Sequence, residues 1–474
     1  MSKKSLSRRE FLRIAGVASA GLAAAACVAP AAPAPPAAAP VATTAPPAAE
    51  APKAAAPAAA AVKLAFWSEG FAEWVNPKIE AYKTVKPNVA IDFVTFKWGE
   101  MMPKLLTATA GGTSPNSIIQ DRFRMAGWAA RGGATAIDDF LTKFSIKKAD
   151  YIPATWAECV WQGKTYALPF ETDGRFIFWN KDIFKAAGLD PEKAPPTEDW
   201  AAMTAMAKKL TKTASDGSVD VMGFVPTQTL GAVYGNGGDF VYAWANGAVF
   251  LKDDKTAFMD DPKLVETLTW EADVQNAVGG IDKASAFSSG WPTTAGYSPF
   301  GAGKLAMMTN GDWNLATFAK YYPDLKFGMA PWKMKGDASK STGFAGGFCM
   351  AIPAGAKNLP ESFDWLQYLL SYDNQVDVGV TQQNIPALIK AASSDDVIKS
   401  SPYPDLRKMA NASMLYANFR PVSPAGQNIQ DLWAYPGTGR DWVLYGKKTP
   451  EQACKDMQTE VQKALDEFWA TQKS

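Results

Sequence analysis

Val62-Lys63-Leu64-Ala65-Phe66-Trp67 and Val89-Ala90-Ile91-Asp92-Phe93-Val94 are short runs with strand character, and between them the stretch from about Phe71 to Lys86 reads as a helix. A second helical run near Met101 to Ala110 stops at Gly111-Gly112, and Ser117-Ile118-Ile119-Gln120 follows as a third short strand. Strand and helix alternating in this way predict an α/β fold with parallel sheets. Later helices are announced by oxygen acceptors ahead of a first-turn acid or proline: Thr197 before Glu198-Asp199, Asp261 before Pro262, and Thr449 before Pro450. The last of these runs to the C-terminus with Ala453, Met457, Val461, Leu465 and Phe468 on one face, the spacing of an amphipathic helix packed on a lobe. No internal repeat and no linker divides the body from Val62 to Ser474.

Upstream of that body the composition changes. Lys3 and Lys4 lead into Ser7-Arg8-Arg9-Glu10-Phe11-Leu12-Arg13, then an apolar stretch from Ile14 to Ala26, then Cys27. This is the layout of a secretory signal over residues 1–26, and the paired arginines mark the twin-arginine route. The apolar stretch is too short to cross a ~30 Å hydrocarbon core. Ala24-Ala25-Ala26-Cys27 resembles a bacterial lipobox, with alanine where leucine is usual, so Cys27 is expected to carry a lipid. From Val28 to Ala61 the chain is almost wholly Ala and Pro, a composition that buries nothing and favours extended conformations. Residues 27–61 are therefore expected to form a tethered spacer.

The 474 residues hold 48 Lys and Arg against 47 Asp and Glu, a balance that offers no nucleic-acid surface. The sequence contains no histidine, which excludes Ser-His-Asp and Cys-His nucleophiles and the usual zinc sites. Besides Cys27 there are three cysteines, Cys159, Cys349 and Cys454, without metal spacing; at most one disulfide can form, and free buried thiols fit equally well. Gly301-Ala302-Gly303-Lys304 fails as a phosphate loop, since Ser298 stands where the first glycine belongs and Leu305 where Ser or Thr belongs. No cofactor or metal is implied.

Tyr166-Ala167-Leu168-Pro169-Phe170-Glu171, continuing through Phe178-Trp179-Asn180-Lys181-Asp182-Ile183-Phe184 to Ala187-Gly188-Leu189, resembles the first lobe crossover of the extracellular solute-binding proteins of ABC importers, in the branch that includes maltose-binding protein. Four further segments agree in order: Ile118 to Phe123, Gly237-Gly238-Asp239, Gly303 to Met308 with Gly311-Asp312-Trp313, and Gly346 to Pro353. The resemblance implies a two-lobed periplasmic-binding-protein fold of the Venus-flytrap kind, with discontinuous lobes and a hinge. It implies an N-terminal lobe of 62–172 and 327–376 and a C-terminal lobe of 173–326 and 377–474. Crossovers are expected near Phe170 to Gly174, near Phe327 and around Tyr372 to Val380. The expected function is binding without catalysis: a sugar or other small polar solute is captured between the lobes by a monomer and delivered to ABC permease subunits at the outer face of the cytoplasmic membrane.

Sugar hydroxyls need donors and acceptors, and the apolar faces of sugar rings need flat aromatic surfaces. Asp121 and Arg122 sit just past a predicted strand end, where ligand groups collect in open α/β sheets, and they match the family's ligand-binding pair. Glu171 matches a family ligand carboxylate, and Trp313 a ring that stacks on sugar. Trp67 and Glu69, at the end of the first strand, are expected to face the cleft, as is Asp239 within its matched segment. Phe344 and Gly346 lie in a loop of little bulk through which backbone could approach a ligand. Arg420 and Trp433 complete the candidate set. Val225 and Thr227 stand where maltose-binding protein carries a glutamate and a tyrosine, a difference that counts against maltose itself as the ligand. Two other readings remain open: a hydrolase using paired carboxylates such as Asp121 and Glu171, and a receptor reporting a solute to a sensor without transport.

Overall fold

The computed structural model describes residues 61–226, 238–292, 296–435 and 437–472. Residues 1–60, which hold the signal, Cys27 and the spacer up to its last residue, lie outside them, as does Thr227. The expected opening elements are present as the strand Val62–Glu69, the helix Ala72–Val85, the strand Val89–Phe96, the helix Met101–Ala110 and the strand Ser117–Asp121. These three strands are parallel, with Val62–Glu69 in the middle. The sheet continues through Phe348–Ala351 and Ala167–Pro169 in the order 89–96, 62–69, 117–121, 348–351, 167–169. Phe348–Ala351 runs antiparallel to both of its neighbours, so this sheet is mixed, not wholly parallel. Trp74, Trp365 and Phe66 fill one of its faces.

The second lobe is built on Arg175–Asn180, whose six residues are all buried because it is the central strand. It pairs antiparallel with Met307–Gly311 on one edge and Phe327–Ala330 on the other. Here the expectation of a parallel sheet fails, and so does the crossover near Phe327. That strand is hydrogen-bonded inside the second lobe, and the chain returns only between Thr342 and Phe348. The third crossing also falls later than expected. Val378 and Ala387 pack in the first-lobe core, whereas Ala392 packs in the second.

Two of the three predicted caps hold. Asp261 accepts from Lys263 N at 2.9 Å, and Thr449 forms a reciprocal capping box with Gln452. At the third, Asp199 is the cap of Trp200–Leu210, while the Thr197 hydroxyl accepts from Lys333 N. The terminal helix Pro450–Thr471 buries its five expected apolar residues; Phe468 reaches the first-lobe cluster while the other four pack in the second lobe. Cys159, Cys349 and Cys454 are buried free thiols. Among the described residues, no helix is long and apolar enough to cross a membrane.

Candidate functional site

Three crossings run side by side between the lobes. Glu171–Thr172 pairs with Ile385–Pro386, and Asp173 bridges Gly346. Arg122 lies beneath them, fully buried. Its guanidinium donates to the carbonyl oxygens of Glu171 and Gly346, to Phe348 O at 3.0 Å and to Glu158 Oε2 at 3.1 Å. With its donors directed to the crossings and to Glu158, Arg122 does not reach the cleft, contrary to expectation. Glu171 is also a hinge residue: Oε1 accepts from Phe348 N at 2.7 Å and Oε2 from Asn384 Nδ2 at 2.9 Å. Burial, reinforced by the Asp173 charge, raises its carboxyl well above the usual range. Gly346 and Gly347 are small for the same structural reason. A Cβ on Gly346 would stand 2.2 Å from Asp173 Oδ1, and one on Gly347, at φ +103°, would stand 2.6 Å from Glu171 Oε1. The close approach at Gly346 is thus to the neighbouring crossing, not to a ligand.

Beside the hinge opens a cleft of about 370 Å³, within the usual range for small-molecule sites. Trp98, Asp121 and Phe348 line it from the first lobe, and Phe240, Trp313, Phe344, Arg420, Gln430, Ala434 and Tyr435 from the second, with Asp173 and Arg175 at the crossing. A larger hollow of about 990 Å³, between Trp161 and Phe468, shares no residue with it.

A Cβ at Gly311 would meet a ring carbon of Trp313 at 1.9 Å, so only glycine lets the indole fold back over the chain. Asp312 is buried; it accepts from Gly174 N at 2.9 Å and pairs with Arg407 at 2.6 Å, fixing the strand end to the hinge. On the opposite wall, Glu69 accepts from Gly99 N at 2.9 Å, Met101 N at 3.2 Å and Arg124 Nη1 at 3.0 Å. It therefore holds the loop that presents Trp98 and does not face the cleft itself.

Asp121, as expected, lines the cleft. Its Oδ1 accepts from Phe123 N and pairs with Arg420 Nη2 at 2.8 Å. Arg420 also meets Glu158 at 2.9 Å. Burial works against its charge, but Asp121 and Glu158 outweigh that and hold it protonated more firmly than usual. Burial first and the Asp121 charge second push the Tyr435 phenol upward.

Four of the eleven expected residues meet at the cleft: Asp121, Trp313, Phe344 and Arg420. Trp67 instead packs edge-on against Phe96. Asp239 is buried in an ion pair with Arg440, and Trp433 is a core residue donating to Asp239 O at 3.0 Å. The residues that were missed carry only faint signals. Arg175 is a lone charge at the head of the buried run Phe176-Ile177-Phe178-Trp179, and Trp98 stands before a glycine at the end of a strand. Asp121 and Glu171 do not converge in the cleft: Asp121 is engaged with Arg420, and Glu171 is 1% exposed and faces the crossings.

Two lobes joined by three crossings around an aromatic cleft with polar side chains define a solute-binding protein. The model of the bacterial extracellular solute-binding protein family matches residues 78–405, and the chain belongs to that family. A putative binding protein of Brucella abortus strain 2308 is 24% identical over 385 residues, covering 80% of this chain and 86% of the relative. The arabinooligosaccharide-binding protein of Bacillus subtilis strain 168 is 22% identical over 317 residues, 65% of this chain and 68% of that one. Among solved structures, CpMnBP1 with mannobiose bound superposes with a TM-score of 0.70 at 26% identity, covering 84% of this chain and 99% of that one.

Proposed function

We propose that the protein captures a sugar between its lobes and delivers it to the membrane subunits of an ABC importer, held at the outer face of the cytoplasmic membrane by a lipid on Cys27. The observation that carries this reading is the cleft itself. Trp98 and Phe348 face it from one lobe and Trp313, Phe344 and Tyr435 from the other, with Asp121, Asp173, Arg175 and Gln430 among them. Flat apolar surfaces with a few polar groups between them suit saccharide rings. The mannobiose-bound relative supports the same ligand class. Binding acts by stabilising the closed arrangement of the lobes over the open one, and the closed form is what a permease would recognise.

The test is a thermal-shift screen of residues 62–474 against mono- and oligosaccharides, with product analysis for every hit. A saccharide that binds raises the melting temperature in proportion to RT ln(1 + [L]/Kd) and is recovered unchanged. Released product would refute the binding reading, and stabilisation only by non-sugar solutes would refute the sugar.

A further inference from the structure

We propose that the Asp173–Arg175 pair makes the cleft selective for uncharged saccharides, with the Arg175 Nε–H as the donor that reads a ligand oxygen. The inference rests on the sugar-binding reading above and deepens it. Arg175 is 7% exposed and lines the cleft. Its guanidinium carbon lies 4.6 Å from the ring centroids of both Trp313 and Phe344. Nη1 is committed to the Asp173 carboxylate and to Gly174 O at 3.3 Å. Nε is buried and has no hydrogen-bond partner among the described residues. Gln430, 9% exposed on the same cleft, has an equally unpartnered Oε1. The site therefore holds at least one unpartnered donor and one unpartnered acceptor, the complement of a hydroxyl-bearing solute.

Charge decides which solute of that kind fits. The cations lining the cleft are Arg175 and Arg420. Asp173 already matches the first, and Asp121 and Glu158 the second. A phosphate or carboxylate entering the cleft would find no unmatched cation and would remain an uncompensated charge in a largely buried place. A neutral sugar brings no such charge. The guanidinium also lies 4.6 Å from the ring centroids of Trp313 and Phe344, so the unpartnered Nε–H sits beside the aromatic walls of the cleft.

The experiment is calorimetric titration of the purified protein with neutral and anionic probe pairs: uncharged mono- and disaccharides against the corresponding uronic acids, and glycerol against sn-glycerol 3-phosphate. The wild-type protein should bind an uncharged saccharide at least a hundredfold more tightly than its acid counterpart. Asp173→Asn leaves Arg175 unmatched and should narrow that ratio at least tenfold by gaining affinity for the acid. Arg175→Gln, with its fold checked by melting, should weaken the uncharged ligand about tenfold and still refuse the acid. A wild-type preference for the acid, a ratio unmoved by Asp173→Asn, or an unchanged affinity in Arg175→Gln would each overturn the proposal while leaving sugar capture standing. Failure of every saccharide to bind would instead overturn the sugar reading, and this inference with it.

Discussion

Trp98→Ala separates the cleft from the core, because Trp98 is a large aromatic left 53% exposed on the first-lobe wall. Its contacts within the protein are modest: an edge-on approach to Phe348 with centroids 5.8 Å apart, and the Arg124 guanidinium 4.9 Å from its ring. Removing the ring should therefore cost less than about 1 kcal/mol of stability. The effect on binding follows from area. A tryptophan presents up to about 250 Å², so about 130 Å² remains uncovered. If a saccharide covers about half of that, burial at about 25 cal/mol per Å² gives about 1.6 kcal/mol. That is about a fifteenfold loss of affinity. Isothermal titration with the best ligand from the screen measures it, and urea unfolding of the ligand-free protein measures the stability. Less than a twofold change in Kd would remove Trp98 from the binding surface. A loss of several kcal/mol in stability would show that the ring belongs to the fold.

Arg122→Met should destabilise the ligand-free protein by about 3–5 kcal/mol, because carbonyls of two crossings and one oxygen of Glu158 lose a buried cationic donor; a loss below about 1 kcal/mol in urea unfolding would contradict its place in the hinge. Glu171 has a folded-state pKa raised above its unfolded value. Its contribution to stability is therefore fully present below the ordinary carboxylate pKa and is lost as pH rises through the folded-state value. Melting temperature should rise as pH falls through the folded-state value toward the ordinary carboxylate pKa, and Glu171→Gln should flatten that part of the profile, a result that thermal scans across pH would deny if the two profiles ran parallel. Cys27→Ala should move the protein from the membrane fraction to the extracellular fluid or periplasm, and unchanged membrane association would count against the lipid anchor.

How much of this was legible from sequence depends on how local the cause is. The strands at Val62 and Val89 and the helix ending at Gly111-Gly112 follow from short-range pattern and turn chemistry, and they stand where the sequence places them. The direction of Phe348–Ala351 depends on where a distant crossing re-enters the sheet, so alternation alone could not reveal an antiparallel neighbour. The cleft draws on side chains from separate segments between Trp98 and Tyr435. The family resemblance picked out Asp121 and Trp313, which line the cleft, but the same resemblance selected Arg122 and Glu171, which hydrogen bonding commits to the hinge. An arginine that ties two crossings together and one that holds a ligand have the same signature in sequence. They differ only in what surrounds the guanidinium.

The distinction between hinge and cleft is itself narrow, and function depends on that. Phe348 lines the cleft through its side chain, while its backbone N–H donates to Glu171 Oε1 and its carbonyl accepts from Arg122 and from Phe170 N. Asp173 lines the cleft and bridges Gly346 through its backbone. A ligand resting on Phe348 and on the Asp173–Arg175 pair therefore touches residues whose backbones form the crossings. Its contacts exist in full only when Trp98 and Phe348 of one lobe stand opposite Trp313 and Tyr435 of the other. A ligand shifts the lobes only by its difference in affinity for the closed and open arrangements. Dividing the contacts between the two walls supplies that difference, whereas a site confined to one lobe would bind equally well with the cleft open and would signal nothing.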